Sequence, residues 1–277
     1  MSEYKELSCL AYDLRKKVVE MVVSGKGGHI GGDMSVIDVL VALYFKEMNI
    51  SLKNMDDPDR DRFVMSKGHS VEAYYAVLAA KGFFPMEEVI EKFSKSGSPY
   101  IGHPHNKLPG IEMNSGSLGH GLPVCVGMAL AGKMDKKDYR VYTVMGDGEL
   151  AEGSVWEGAM SAGNYKLDNL CAIVDRNRLQ ISGNTEDVMK QDGQEERWAA
   201  FGWNVLSVPG NDMDALVHAF ELAKHCKGKP TVIIANTTKG CGSSVMENKA
   251  EWHHKVPTPE EVEQIMKDLD ERKEALL

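Results

Sequence analysis

The chain has 277 residues, 43% hydrophobic and 26% charged, ample for a sizeable core and consistent with one large domain. A net charge of −9 and a pI near 5.5 exclude a broad nucleic-acid-binding face. The cysteines (Cys9, Cys125, Cys171, Cys226, Cys241) are scattered without Cys-x-x-Cys spacing, which argues against a disulfide framework or zinc site and for a reducing, cytoplasmic setting. The start, Met1 to Leu7, is polar with no secretory pattern, and no window reaches the roughly eighteen apolar residues of a membrane helix.

Leu7, Leu10, Ala11, Leu14, Val18, Met21 and Val22 recur at helical spacing and predict a helix over 5–24, ended by Gly25, Gly27 and Gly28. A glycine-rich loop carrying His29 follows, and Asp33 is expected to cap a helix over 34–48. Residues 62–66 read as a strand, Lys67-Gly68-His69-Ser70 as a turn, and a helix runs on to Lys81. Pro85 opens a short helix; 94–118 is a long loop rich in Gly, Pro, Ser and His, of a length that is usually functional or disordered. Then come a helix over 119–133, strand 141–145, helix 152–164, strand 170–175 and loop 176–193. Strand 203–208, helix 212–227, strand 231–236, loop 237–256 and a Thr258-capped helix over 259–275 complete the chain. This alternation predicts an α/β fold with a doubly wound parallel sheet and helices on both faces. Cys171, Trp156, Trp198 and Trp203 read as packing residues, His218 and His225 as solvent-facing, and Lys239 as either a phosphate contact or a loop ornament.

Two apolar strands end in oxygen-bearing side chains: Val141–Met145 runs into Gly146-Asp147-Gly148-Glu149, and Leu170–Val174 into Asp175-Arg176-Asn177. Asp and Asn favour turns, so either alone is weak evidence. Together they lie at the carboxyl edge of a parallel sheet, where such folds bind ligands. Asp147, Asn177, the carbonyl of Leu179, water and two diphosphate oxygens would complete an octahedron around magnesium. A dinucleotide site is disfavoured because the third glycine is missing, and no Walker lysine is present. His29, His69, His103, His120 and His253 all sit in loops beside strand ends and suggest a shared cleft in which neutral imidazoles relay protons to sugar hydroxyls.

These segments, with Ser66-Lys67-Gly68-His69, Gly102-His103-Pro104 and Gly116-Ser117-Leu118-Gly119-His120-Gly121, resemble the transketolase family over nearly the whole chain, matching the diphosphate-binding first half of that family. The resemblance implies a thiamine-diphosphate-binding (PP-type) fold and the following roles. Asp147, Asn177 and the Leu179 carbonyl would hold Mg2+, or Ca2+ or Mn2+ in its place. His69, Gly116, Leu118, Gly146, Gly148, Glu149 and His253 would line the thiamine diphosphate, with Leu118 near its rings. His29 and His103 would contact the donor's hydroxyls, and Glu152 would join an acidic relay at the interface between subunits. His120 stands where the family usually has Gln, and Arg176 where Asp or Asn is commoner. The family's ring-activating glutamate lies on a further domain, expected here on a separate C-terminal-type subunit in a two-plus-two heterotetramer. The implied activity is transfer of a two-carbon ketol unit from a ketose to an aldose. The alternatives are a 2-oxoacid dehydrogenase or deoxyxylulose-phosphate synthase-like subunit, or a non-catalytic cofactor-binding subunit.

Overall fold

A computed structural model describes residues 4–277, so the first three residues of the polar N-terminal stretch lie outside it. Helices α1 (Lys5–Gly25) and α2 (Ile30–Ala42) come first, α2 running on into a π-helical turn at Leu43–Glu47. Strand β1 (Arg62–Met65) leads to α3 (Val71–Ala80), α4 (Met86–Lys92) and α5 (Gly121–Met134). Next are β2 (Val141–Gly146), α6 (Gly153–Asn164) and β3 (Leu170–Arg176). A hairpin of β4 (Leu179–Gln180) and β5 (Gly183–Asn184), then α7 (Thr185–Val188) and α8 (Gln194–Ala200), precede β6 (Asn204–Pro209). Helix α9 (Met213–His225), strand β7 (Thr231–Asn236) and helix α10 (Pro259–Glu274) close the chain.

The main sheet has order β1-β2-β3-β7-β6 and is parallel throughout. Both faces are covered, so its inner strands are nearly continuous apolar runs. The side-chain period of two still sorts them. Tyr142, Val144, Cys171, Ile173 and Ile233 pack with α1, α2, α3 and α9, while Val141, Met145, Leu170, Ala172, Val174 and Ile234 pack with α5, α6 and α8. The doubly wound expectation holds.

Several details differ from expectation. Helix α2 starts at Ile30, and Asp33 lies in its first turn instead of before it. Asp33 Oδ1 accepts from Ala73 N at 3.0 Å, so it caps α3, a different helix. The 176–193 loop holds the β4–β5 hairpin and α7, and α8 is a helix the periodicity does not announce. Helix α10 has the Thr258–Glu261 capping box. All five cysteines are free, and among the described residues no helix is long and apolar enough to cross a membrane.

Candidate active site

The carboxyl ends of β1, β2, β3 and β7 border a cleft of about 430 Å³. A larger depression of about 770 Å³ lies at the opposite sheet edge, but its Lys133, Lys137 and Lys224 are already paired with Asp168, Asp59 and Glu47. The cleft at the carboxyl ends gathers the converging groups and is the better site.

Register builds its floor. Gly146 pairs with Asp175 across β2 and β3, so Asp147 and Asn177 emerge side by side. Asp147 is buried; Oδ1 accepts from Gly148 N at 2.8 Å and Oδ2 from Arg178 N at 2.6 Å. Burial, with Asp175 close by, pushes its pKa up to about 6. A buried carboxylate beside a second acid calls for a cation opposite. Asn177 Nδ2 donates to Ser35 Oγ at 3.2 Å and to Asp175 Oδ2 at 3.4 Å. That fixes the amide flip and leaves Oδ1, which accepts from Leu179 N at 3.1 Å, as the oxygen on the cleft side. One carboxylate, one amide oxygen and one nearby carbonyl form an all-oxygen set suited to a hard divalent cation that keeps phosphate or water as its remaining ligands.

Two lysines face this floor. Lys67 is buried and ion-paired with Asp175, and it also donates to Gly32 O at 3.1 Å. Lys239 is buried, not ornamental. Its ammonium donates to Leu179 O at 3.2 Å and to His253 Nδ1 at 3.0 Å. Because an ammonium only donates, His253 carries its own proton on Nε2. Burial and the neighbouring Lys67 lower the pKa of Lys239 to about 8. Two buried ammoniums beside the acids suit a dianionic group bridged by a metal.

Glycines admit the wall loops. Gly28 sits at φ +157°, and a Cβ there would lie 2.2 Å from Glu72 Oε1. Gly116, at φ +140°, lets its loop pass His103, since a Cβ would fall 2.7 Å from the ring.

The histidines gather around His29. Its ring centroid lies 5.3 Å from His69, 5.6 Å from His253, 6.2 Å from His103 and 4.8 Å from His254. Burial lowers the pKa of His29 to about 4, helped by His254 and His103, and that of His253 to about 3, helped by Lys239. Burial also lowers His69 and His103. All four are neutral at physiological pH, as proton relay at hydroxyl groups requires. Of the five histidines expected to share a cleft, His29, His69 and His253 line it, while His103 stands beside His29 in an adjoining cavity. His120 is exposed at the start of α5, its Nδ1 3.1 Å from Leu118 O, and it does not line the cleft; His254, beside His29, lines with His103 that smaller adjoining cavity. His254 adjoins His253 in sequence, and that adjacency is the signal by which it could have been found.

Of the other expected residues, Gly116, Leu118, Gly146, Gly148, Glu152 and Leu179 line the cleft, Glu152 being exposed at its rim. Glu149 also borders it, but its carboxylate is turned inward. It accepts from Ser66 Oγ, from Gly119 N at 2.8 Å and from Gly146 N at 3.0 Å, bracing three loops. Arg176 is buried, with Asp192 and Glu195 as its nearest acids at 3.9 and 3.8 Å. Behind His29 lie two further acids that sequence reasoning does not single out, Asp33 and Glu72. Both are fully buried and act directly on each other, and one oxygen of each, Asp33 Oδ2 and Glu72 Oε2, has no hydrogen-bond partner among the described residues.

Residues 8–274 match the family model described as transketolase, thiamine diphosphate binding domain. A protein of Phocaeicola vulgatus, named as one of the subunits of an apulose-4-phosphate transketolase, is 52% identical over 95% of this chain and 93% of its own. A 6-deoxy-6-sulfo-D-fructose transketolase subunit of a Clostridium species is 43% identical over 94% of this chain and 95% of its own. Human transketolase is 41% identical over 92% of this chain but only 41% of its own length. The solved transketolase of Campylobacter jejuni superposes with a TM-score of 0.91 at 30% identity, covering 98% of this chain and 43% of that one. The chain thus spans less than half of the long transketolases and nearly all of the relatives named as subunits. It belongs to the transketolase family, corresponding to the domain that binds thiamine diphosphate.

Proposed function

We propose that this chain is the diphosphate-binding subunit of a split transketolase, one PP-type unit over its whole length. It would work in the cytoplasm with a C-terminal-type subunit in a two-plus-two assembly. The observation that carries the reading is the meeting, in one cleft, of the Asp147–Asn177 oxygen set with the neutral imidazoles of His29, His69 and His253, His103 standing beside His29. A binding module needs only the first set, whereas proton handling at a sugar needs the second.

The residues present fit the cofactor. Asp147, Asn177 and the Leu179 carbonyl would hold Mg2+ or a similar ion, and Lys67, Lys239 and His69 would face the diphosphate. The backbone at Gly146 and Gly148 would approach it, and Gly116 and Leu118 would border the rings. Thiamine diphosphate, when bound, supplies the electron sink for breaking and making the carbon–carbon bond. The chain's own work is orientation, exclusion of water and proton transfer. His29 and His103 accept and return protons at the donor's hydroxyls, and His253 offers its Nε2 proton. Glu152, at the rim, faces the expected partner. The relatives' names point to specialised ketose donors, with apulose 4-phosphate the first to try.

The test is ketol transfer to ribose 5-phosphate from apulose 4-phosphate or xylulose 5-phosphate, with thiamine diphosphate and magnesium. It is run on this chain, on the partner encoded beside it, and on the mixture. Activity in the mixture alone supports the proposal. A mixture that binds the cofactor yet transfers nothing from any ketose overturns it.

A further inference from the structure

Helices α2 and α3 pack together, and each starts at a histidine-bearing turn. His29 immediately precedes α2, and His69 precedes Ser70, the residue before α3. A helix start leaves backbone N–H groups without partners, and the residue before the helix commonly caps one of them with its own side chain. Neither His29 nor Ser70 does so. Two acids supply the caps crosswise instead. Glu72, the second residue of α3, accepts from the His29 N–H at 3.1 Å, and Asp33, in the first turn of α2, accepts from the Ala73 N–H at 3.0 Å. An ordinary capping box satisfies the same two kinds of donor, the N–H before the helix and the N–H of its third residue, within one helix. Here the box is shared between two helices.

We propose that Glu72 is a positioning residue for proton transfer by His29, the shared box setting where the imidazole meets the donor. The inference rests on the ketol-transfer reading and adds to it a residue behind the site. Because the acids take over the capping, the His29 side chain is free to line the cleft while its backbone is held. Its carbonyl accepts from Gly32 N at 3.0 Å and Asp33 N at 3.3 Å, so the N–H of His29 is tied to α3 and its C=O to α2. Gly27 and Gly28 before it bring no side chain that could anchor the loop. The loop lies directly on Glu72: a Cβ at Gly28 would fall 2.2 Å from Glu72 Oε1. The Asp33–Ala73 bond holds the first turn of α3, just beyond His69, whose ring centroid is 5.3 Å from that of His29. Both acids are fully buried within this chain, so a subunit docked on its surface does not replace them.

The test uses the assembled enzyme with Glu72→Gln, Glu72→Asp and Glu72→Ala. Glutamine keeps an acceptor at the same reach without the acid, whereas aspartate keeps the acid but withdraws the acceptor by one methylene. Ketol transfer to ribose 5-phosphate is measured from xylulose 5-phosphate and apulose 4-phosphate. Misplacing His29 should lower kcat by roughly tenfold to a hundredfold in the Asp and Ala variants. KM for the donor and the calorimetric affinity for thiamine diphosphate should stay within about threefold, and kcat of Glu72→Gln within about threefold of the parent. In histidine NMR spectra of the assembled enzyme, the ring signals of His29 should move in the Asp and Ala variants and hold in Glu72→Gln. If alanine prevents assembly, Glu72→Asp, which keeps an acid against Asp33, carries the comparison with glutamine. Undiminished kcat in the Asp variant, unmoved His29 signals, or a Gln loss equal to the Asp loss would each overturn the positioning role while leaving ketol transfer standing. Cofactor affinity falling in step with kcat would mark general structural damage and overturn it as well. An unaltered enzyme that transfers from neither ketose overturns the ketol-transfer reading and the role of Glu72 with it.

Discussion

Glu72→Gln tests the Asp33–Glu72 pair directly. Both carboxyls are fully buried, Glu72 Oε1 accepts from His29 N at 3.1 Å, and Asp33 Oδ1 accepts from Ala73 N at 3.0 Å. Asp33 Oδ2 and Glu72 Oε2 have no hydrogen-bond partner among the described residues, and a proton shared between the two acids would satisfy both. Burial raises Asp33 to about 7 and, with Asp33 beside it, holds Glu72 well above the usual carboxylate range. In the unfolded chain both acids lose their protons near pH 4. Folding therefore takes up protons above that pH, and the stability gained is fully present below pH 4 and lost as pH rises towards 7 and beyond. Each proton taken up tilts stability by about 1.4 kcal/mol per pH unit. Glutamine keeps both hydrogen bonds, since its Oε1 can accept from His29 and its amide can donate to Asp33, but it does not titrate. Urea unfolding of both proteins at pH 5, 6 and 7 should show Glu72→Gln gaining on the parent by about 1.4 kcal/mol per unit. Comparing the two cancels the opposing contribution of the histidines. Parallel stability curves would refute the shared proton. Glu72→Ala, which strands the buried His29 N–H and one Asp33 oxygen, should cost about 2–4 kcal/mol.

Asp147→Ala should abolish magnesium-dependent binding of thiamine diphosphate measured by calorimetry, because the diphosphate loses its bridge; unchanged affinity would sink the metal assignment. His103→Ala should remove turnover in the assembled enzyme with little change in cofactor affinity, whereas a change confined to affinity would favour a pure binding module. The rings of His29 and His253, depressed to about 4 and 3, should show no titration in histidine NMR spectra between pH 8 and pH 5.5. A midpoint near 6.5 would contradict their burial. By the same sign rule they weaken the fold as pH falls from 6.5 towards 4.

Strand ends are legible because their chemistry is local. Val141–Met145 running into Asp147, and Leu170–Val174 into Asn177, announce both the strands and the edge they share. The parallel sheet follows from alternation alone. What escapes are partners joined only in space. Lys67 meets Asp175 across 108 positions, and Lys239 reaches the Leu179 carbonyl across 60, so neither pairing leaves a spacing to read. Asp33 looks like the cap of its own helix because caps are usually local; the tertiary fold hands it to α3 instead. Glu149 stands in a motif that reads as facing the cofactor, while three inward hydrogen bonds claim its carboxylate. His120 shares the glycine-rich context of the true cleft histidines, and context does not reveal which way its loop turns.

The pairing of Gly146 with Asp175 makes the proposed metal site a matter of spacing. Helix α6 and the turns around it can gain or lose residues while both strands keep their level, so the interval between Asp147 and Asn177 is free to drift. A single deletion inside β3 is another matter. It would draw Asn177 back by about 3.3 Å and exchange the strand's two faces, sending Cys171 and Ile173 to the side built for Ala172 and Val174. Indels in this lineage should therefore fall between the strands and never within them, even where every residue of the strand has been replaced.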